Sequence, residues 1–167
     1  FLYYHPSFPS ESVFRERAWG WCDPFLRRFM PRDGRAPAWL GWALGAVENA
    51  IPPDPEICKE IIDGGYDAVL VSPYIFYQCT FHNDYVKAAH ALGVPVGFPV
   101  FSWDNLTTKG NVQVVPDRIW VWNDIQKREL VELHKAPEDS IFVTGAYRFD
   151  EYRDLKPSKT REAFCAE

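Results

Sequence analysis

Residues 102–110 read SWDNLTTKG and combine a carboxylate, a cation, hydroxyls and an amide with an indole. Asp104 is the only carboxylate of this loop, so it is the only general base that the loop offers. Lys109 can pair, as a point charge, with a phosphate or carboxylate of a ligand. A plain connection between packed elements needs only turn formers and solvation. The mixture of donors, acceptors and charge beside Trp103 therefore predicts a binding site.

Each of these side chains also has a structural explanation. Asp104 is followed by an Asn and can form an Asx-turn or a helix N-cap by accepting bonds from nearby backbone N–H groups. Lys109 can be solvated or form a structural ion pair, and Trp103 can pack into the core beneath the loop. Three further residues suit a turn as well as they suit a ligand hydroxyl: Asn105, Thr107 and Thr108.

Strand-like and helical segments alternate around this loop. Four apolar runs have the length of strands: 66–73, 94–101, 118–122 and 140–145. Helical patterns cover 82–93 and 124–134, and a further helix precedes the first strand, with Asp54 as its N-cap and a Gly pair at its end. This order predicts an α/β fold built of right-handed βαβ units, with a Rossmann-like open parallel sheet covered by helices on both faces.

Four connections should lie at one edge of that sheet. Ligands of open α/β sheets bind beyond the carboxyl ends of the strands, and the loop 102–110 follows the second strand. We expect all four loops to face one crevice. The candidate substrate-binding residues are those of the loop together with the residues that end the other strands: Ser72, Ser102, Trp103, Asn105, Thr107, Thr108, Lys109, Asn123, Thr144 and Gly145.

Several of these polar residues sit next to helices. Asn123 fits a helix N-cap, and Gln126 would complete a capping box with it. His82, just before a helix on the same side of the sheet, is a second candidate for a catalytic base. His90 and His134 lie on helices and are predicted to be structural; for His134, in a last turn, a positive charge would suit the helix dipole.

The length, net charge and cysteine content of the chain exclude several classes of protein. A chain of 167 residues fits one domain, and its net charge is −5, with +1 over residues 1–50 and −6 over residues 51–167. Binding to nucleic acid needs a concentrated basic face, so it is not expected. The four cysteines form no CxxC pair and indicate reduced thiols in a cytoplasmic protein. CTFH at 79–82 offers only two metal ligands, and no metal site is predicted.

Residues 1–50 are rich in Trp and Arg, with helical patterns at 10–19, 24–30 and 38–50. Residues 14–35 place arginines among large aromatic residues, a composition that suits a membrane surface. An ordinary amphipathic helix packed on its own domain is the alternative, because Pro24 and Pro31 break the helical period. The longest apolar run, WLGWALGAV, is too short to span a bilayer.

Both ends of the sequence look cut. The chain begins at Phe1 inside the apolar stretch FLYY, without a charged segment typical of a signal peptide. It stops in SKTREAFCAE, where a helical pattern has barely begun. We therefore expect a fragment of a longer protein.

Three segments together resemble a known group of proteins: DAVLVSPYIF, YVKAAHALGVPVGFPVFSWDNLTTKG and PDRIWVWNDIQKRELVELHKAPEDSIFVTGAYRFDEY. They are similar to glycosyltransferase-like proteins of the GT-B fold from bacterial surface-polysaccharide gene clusters, over about residues 45–155. The Gly-rich first strand, loop and helix with which such domains often open has no counterpart here.

The resemblance implies two Rossmann-like domains facing each other. Residues 1–150 would be part of the N-terminal, acceptor-side domain, with a helical segment at 1–50 and βαβ units at 51–150. Residues 151–167 would be the linker and the start of a C-terminal domain that binds most of the nucleotide-sugar donor. The implied function is the acceptor side of a nucleotide-sugar-dependent glycosyltransferase in glycan or polysaccharide assembly, with no cofactor bound by this segment and no metal required.

The resemblance also gives the loop residues roles. Asp104 would take the proton of an acceptor hydroxyl, Trp103 would stack on a sugar face, and Lys109 would pair with charge on the ligand. The partners would be a sugar or glycan acceptor and a nucleotide-sugar donor, and the location the cytoplasm, with the membrane's inner face as an alternative. Two other functions remain open: a sugar-nucleotide 2-epimerase of the same fold, and a non-catalytic docking domain.

Overall fold

The computed structural model describes residues 16, 19–20, 22–28, 38–75 and 81–166. Most of the predicted helix at 10–19, part of the predicted helix at 24–30 and part of the connection after Pro73 lie outside the described residues.

The described chain alternates helices and strands from residue 55 onward. The α-helices are α1 (Pro24–Arg27), α2 (Ala38–Ala50), α3 (Pro55–Gly64), α4 (His82–Leu92), α5 (Asn105–Thr108), α6 (Asp124–His134) and α7 (Arg161–Cys165). The strands are β1 (Val69–Leu70), β2 (Val96–Pro99), β3 (Arg118–Val121) and β4 (Ile141–Val143). Two 3-10 helices follow α6 and β4, at Glu138–Ser140 and Tyr147–Arg153.

All four strands are parallel and lie in the order β1-β2-β3-β4. Val69 pairs with Val96, and Ile119 pairs with Ile141, so each strand adds to the edge of the one before it. The predicted α/β fold with an open parallel sheet is confirmed. Each strand is shorter than the apolar run that predicted it, although single backbone bonds to the neighbouring strand continue beyond β2 and β4, from the Val100 N–H to the Trp120 carbonyl and from the Thr144 N–H to the Val121 carbonyl.

Local signals place the ends of the helices where the sequence predicts them. The Asp54 carboxylate accepts a bond of 2.7 Å from the Glu56 backbone N–H, which satisfies a donor that the first turn of α3 leaves free. Gly65 ends α3 in the left-handed region, with φ of 59°, a conformation that glycine adopts without strain. Gly93 ends α4 in the same way.

One face of the sheet forms the core. The buried side chains of this face are Val71, Val96, Phe98, Val100, Ile119, Val121 and Ile141. They pack with Ile61 of α3, Val86 of α4 and Leu130 of α6 in a single apolar cluster. Right-handed connections between strands laid down in sequential order bring their helices to the same side of the sheet, which explains why one face is so thoroughly covered.

The other face is largely open in the described part of the chain, which differs from the expected cover on both faces. Leu70 is 65% exposed there, and Phe142 is also exposed, with the Arg118 guanidinium 5.7 Å from the centre of its ring. A Cβ atom at Gly97 would lie 2.4 Å from Cζ3 of Trp120 and 2.7 Å from Cδ2 of Leu70. These two side chains thus close over Gly97, where only a glycine fits beneath them.

Candidate functional site

The parallel sheet brings the predicted loops to one edge. Ser72, the loop 102–110, Asn123 and Thr144 each follow the carboxyl end of a strand. Their common edge is confirmed by the parallel pairing of β1 to β4. The order of these four strands does not reverse, so the described sheet has no switch point of the kind that opens a crevice in doubly wound folds. The candidate site is therefore the open carboxyl edge of the sheet, together with the loop 102–110.

The loop 102–110 folds around the Asp104 carboxylate. Asp104 accepts a hydrogen bond from the Ser102 hydroxyl, a second from Thr108 Oγ1 at 2.9 Å, and lies 3.1 Å from the Lys109 ammonium. Its side chain is only 19% exposed. Asp104 also precedes the short helix α5, but its side chain makes no bond to the N–H groups of that helix. The predicted N-cap through the side chain is therefore wrong, and the ion pair with Lys109 is present.

The surroundings of Asp104 favour its ionised form. Burial raises the pKa of this carboxyl, but bonds from Ser102, Lys109 and Thr108, with the charge of Lys109, outweigh burial and lower the pKa below its usual value. A carboxylate with a lowered pKa is a weak base, so Asp104 accepts a proton only when one of its three present donors gives way. At neutral pH its main effect is to hold Lys109 and the loop in place.

Trp103 projects from this loop into solvent. Its side chain is 75% exposed, so the alternative in which it packs into the core is wrong. Its backbone is held nonetheless, because the Trp103 carbonyl accepts a bond of 3.4 Å from Gln126 Nε2. Trp103 thus presents an indole on a fixed backbone, which suits stacking against a flat or apolar ligand face.

Asn105 lies inside the fold rather than at the edge. It is 1% exposed; its Nδ2 donates to the Ile75 carbonyl at 2.7 Å, and its Oδ1 accepts from the Phe101 N–H at 3.2 Å. A ligand at the surface of the loop does not reach these atoms. Thr107 and Thr108 are half-buried. The Thr107 hydroxyl donates to the Asp104 carbonyl at 3.4 Å, and the Thr108 hydroxyl, which donates to the Asp104 carboxylate, lies 3.0 Å from the same carbonyl oxygen. These residues shape the loop.

Gln126 ties the loop to the next strand. Asn123 caps α6, as predicted, by accepting a bond of 3.0 Å from the Gln126 N–H. The side chain of Gln126 does not close a capping box on Asn123, because its Oε1 accepts from the Trp122 N–H at 2.8 Å instead. Its Nε2 donates to the Ser102 carbonyl at 3.1 Å. The buried Gln126 amide therefore fixes the distance between the ends of β2 and β3.

His134 anchors the far side of the loop. Its Nδ1 lies 3.1 Å from the Val112 N–H and 3.1 Å from Asn111 Oδ1, and its Nε2 lies 2.8 Å from the Leu106 carbonyl oxygen. The predicted structural role is confirmed, because the ring is buried and both of its nitrogens bond to the loop and to the segment that follows it. His90 is also structural, with Nε2 3.3 Å from the Asp117 carboxylate.

His82 is the first residue of α4 and contacts the Phe81 ring, with ring centres 4.3 Å apart and the ring planes tilted by 49°. Its Nδ1 is buried and has no hydrogen-bond partner among the residues that the structure describes. Within the same residues, no hydrogen bond joins His82 to Asp104. The two candidate bases are thus not paired with each other.

The remaining predicted residues bond to neighbouring strands. The Ser72 hydroxyl donates to the Pro99 carbonyl at 3.1 Å, next to a cis peptide between Ser72 and Pro73. The Thr144 hydroxyl donates to the Val121 carbonyl at 3.4 Å. Gly145 has φ of 83°, a left-handed conformation that favours glycine at this turn. All three residues are exposed and lie at the edge of the sheet.

The end of β1 is held by a buried phenol that sequence reasoning missed. The Tyr74 hydroxyl donates to the Val114 carbonyl at 2.6 Å and lies 2.7 Å from Asn83 Oδ1. Burial raises the pKa of this phenol, so it stays neutral. Tyr74 links the strand end, the start of α4 and the segment that leads into β3.

A row of aromatic side chains, here called the aromatic row, was also missed as a group. Trp122 and Phe149 meet edge to face with ring centres 5.8 Å apart, and Tyr152 follows 5.9 Å from Phe149. Trp122 is fixed by a bond of 2.9 Å from its Nε1 to the Val100 carbonyl, while Phe149 and Tyr152 are exposed. The spacing of aromatic residues in AYRFDEY was the available signal; only its last two residues fall in the segment 151–167 that the resemblance assigns to a linker.

Within the part of the chain that the structure covers, no three His, Cys, Asp or Glu side chains lie close enough to hold a metal ion. No helix in that part is long and apolar enough to cross a bilayer. Comparison of the chain with protein-family models, curated proteins and solved structures finds no match. The chemistry of the loop edge is therefore the starting point for any functional proposal.

Proposed function

We propose that the chain is the acceptor-side domain of a nucleotide-sugar-dependent glycosyltransferase of the GT-B type, acting in glycan or polysaccharide assembly. One observation carries the proposal. An exposed indole, Trp103, stands beside the ion pair of Asp104 and Lys109 on a loop at the carboxyl edge of a parallel sheet. In α/β folds ligands are bound at that edge.

This arrangement suits a sugar ring. One face of a pyranose presents C–H groups that pack on an indole, while its rim presents hydroxyls that need both donors and acceptors. Trp103 supplies the flat apolar surface, and the Asp104 carboxylate and the Lys109 ammonium supply an acceptor and a donor 3.1 Å apart. The exposed Asn123 amide lies on the neighbouring loop of the same edge.

The proposed chemistry is displacement at the anomeric carbon of the donor sugar. The acceptor oxygen forms the new glycosidic bond, its proton passes to Asp104, and the bond from the anomeric carbon to the diphosphate breaks, so that the diphosphate leaves with the electron pair. Lys109 would offset the negative charge that develops on this leaving group. The lowered pKa of Asp104 makes it a late proton acceptor, because Lys109 or Ser102 must first release the carboxylate.

The three contacts that already occupy the Asp104 carboxylate support a second candidate, a non-catalytic glycan-binding domain. A carboxylate already satisfied by three donors can hold a loop rigid for binding without taking a proton. The two candidates share the Trp103 platform and differ only in whether Asp104 takes part in turnover.

The 167-residue chain itself tests the binding part. We expect it to bind a subset of immobilised glycans, and Trp103→Ala to abolish that binding while leaving the thermal unfolding temperature unchanged, because the indole is exposed. Trp42→Ala, which removes an equally exposed Trp from α2, is the matched control and should bind glycans normally. Equal binding by both variants and the parent chain would disprove the Trp103 platform.

Turnover is tested in a protein that carries this chain together with a donor-binding domain. Labelled nucleotide sugars and the bound glycans should yield a new glycoside, and Asp104→Asn should reduce its formation at least about a hundredfold if Asp104 takes the proton. Asp63→Asn, at an exposed carboxylate on α3, serves as control. An epimerised nucleotide sugar without a glycoside would contradict the transferase proposal, and full turnover by Asp104→Asn would favour the binding domain.

A further inference from the structure

Helix α2 is apolar along its length and yet exposed. Its sequence is AWLGWALGAVENA, with a single charged residue, Glu48. Trp39 is 57% exposed and Trp42 is 77% exposed, and Val47 also faces solvent. A helix that is apolar over most of its surface is normally covered, by a protein core or by lipid. The described part of the chain leaves α2 without such a cover.

One side of α2 contacts the rest of the domain. The Lys87 ammonium of α4 donates to the Glu48 carbonyl at 2.7 Å and lies 3.4 Å from the Glu48 carboxylate. This contact fixes the C-terminal end of α2 to the domain and turns the Glu48 side toward it. With about 100° per residue, Trp39 lies on the opposite side of the helix from Glu48, and Trp42 and Val47 lie at least about 100° away from it. The aromatic side of α2 therefore points away from the protein.

The charge of the chain changes sign next to this helix. Residues 14–35 carry six arginines against three acidic residues, whereas residues 51–167 have a net charge of −6. Arg28, directly after α1, is exposed. A basic segment that leads into an apolar helix with two exposed indoles has the two properties that bind an anionic bilayer: electrostatic attraction to lipid headgroups and an apolar surface for their acyl boundary.

The length of α2 decides how it could meet a bilayer. Helix α2 has 13 residues and is about 20 Å long. A helix that spans a bilayer needs roughly 20 residues, or about 30 Å. Trp is the side chain most typical of the interface between headgroups and acyl chains, because its ring is apolar and its N–H is polar. We therefore expect α2 to lie in the plane of the membrane, with the side that carries Trp39 and Trp42 inserted. This orientation agrees with the short length of the helix and with the preference of Trp for the interface.

We propose that α2 is a membrane-surface helix that docks this domain on an anionic phospholipid bilayer, with Trp39, Trp42 and Val47 entering the interface and the positive charge that the sequence carries in residues 14–35 attracting the anionic headgroups. The sequence placed membrane contact within 14–35 alone; the exposed side of α2 supplies the apolar part that this segment lacks. This inference is independent of the proposed sugar chemistry.

The test is cosedimentation of the 167-residue chain with vesicles of phosphatidylcholine alone or mixed with phosphatidylserine. The chain should bind the mixed vesicles, weakly or not at all the neutral ones, and should be released in part by high salt. Trp42→Glu places a charge in the apolar side and should lower the partition coefficient at least about tenfold. Trp42→Phe should retain most of the binding.

The matched control is Trp103→Glu, because Trp103 is as exposed as Trp42 but lies at the edge of the sheet. It should sediment with the mixed vesicles like the parent chain. Circular dichroism and thermal unfolding establish that each variant is folded. The proposal fails if the parent chain stays in the supernatant with mixed vesicles, or if Trp42→Glu and Trp103→Glu lower binding equally. It also fails if sedimentation velocity finds a dimer that Trp42→Glu dissociates while vesicle binding persists, since a second copy would then cover α2.

Discussion

Gln126 Nε2 donates a hydrogen bond of 3.1 Å to the Ser102 carbonyl and so joins the start of helix α6 to the loop that follows β2. The same amide accepts the Trp122 N–H through Oε1 at 2.8 Å. A single buried side chain thus sets the geometry between two strand ends of the candidate site.

Replacing this amide should destabilise the fold. In Gln126→Leu, which has a similar volume, the Trp122 N–H and the Ser102 carbonyl lose a partner in a buried setting, at a cost of about 2–4 kcal/mol in the free energy of unfolding. Urea unfolding measures the change. Lys127→Ala, which removes only the ion pair with Glu138, should cost less than about 1 kcal/mol. Equal costs would mean that the amide bonds are not maintained in solution.

The two structural histidines should differ in importance. His134→Ala removes the partners of the Leu106 carbonyl and the Val112 N–H and leaves a cavity, so we expect a loss of about 3–5 kcal/mol. His90→Ala removes an exposed contact of 3.3 Å between Nε2 and the Asp117 carboxylate and should cost less than about 1 kcal/mol. Denaturant unfolding of both variants tests the contrast, and a larger loss for His90→Ala would contradict it.

Asp104 should make stability depend on pH in a defined direction. Its pKa in the folded chain is lowered, so its contribution is present above the pKa of an unfolded aspartate, about 3.9, and is lost as the pH falls through the folded-state value. Asp104→Asn should therefore lower the free energy of unfolding by about 1 kcal/mol at pH 7. The gap to the parent chain should close below about pH 4. A gap that widens on acidification would show the opposite shift.

Removing Lys109 should raise the pKa of Asp104. Lys109→Met abolishes both a hydrogen bond and a positive charge that favour the carboxylate, leaving the Ser102 and Thr108 hydroxyls against the effect of burial. The titration of the Asp104 carboxyl carbon, followed by nuclear magnetic resonance, measures the shift. Lys59→Met is the control, because the Lys59 ammonium pairs with Asp63 within α3 and not with Asp104. An unchanged Asp104 titration in Lys109→Met would mean that the ion pair does not form.

Two glycines should respond to a methyl group with opposite signs. Gly97→Ala brings a Cβ atom against Trp120 and Leu70, and the strain of displacing them should cost about 1–3 kcal/mol. Gly45→Ala lies within helix α2 with nothing within 4 Å, and the higher helix propensity of Ala should stabilise the chain by about 0.5–1 kcal/mol. Thermal unfolding distinguishes them, and stabilisation by Gly97→Ala would show that Trp120 does not lie over this strand.

The features that the sequence predicted well are those that short segments decide. A carboxylate at Asp54 and a glycine at Gly65 or Gly93 mark helix ends through contacts only a few residues away. The alternation of apolar runs with such helices then leads to a parallel sheet and to a shared edge for the loops. None of these steps requires knowledge of which residues meet across the fold.

The features that could not be predicted from the sequence depend on contacts between residues that are far apart in the chain. Asn105 and Trp103 are close in the sequence, and both were predicted to bind a ligand. Asn105 is buried because its amide bonds to the Ile75 carbonyl, whereas Trp103 is exposed. Gln126 reads as a local cap because its acceptor, the Ser102 carbonyl, is distant in the chain. These long-range hydrogen bonds determine which side chains of the loop 102–110 point inward. The periodicity of the sequence does not predict such bonds.

The sequential order of the strands has a consequence for how the chain acquires its structure. Each strand pairs with the one immediately before it, so that no pairing waits for a distant part of the chain to arrive. The paired strands are separated by 27 residues from Val69 to Val96 and by 22 from Ile119 to Ile141, so this order keeps the entropy cost of loop closure low for a parallel sheet. Because β1 leaves the ribosome first, the sheet can grow strand by strand during synthesis, with β4, Phe149 and Tyr152 added last.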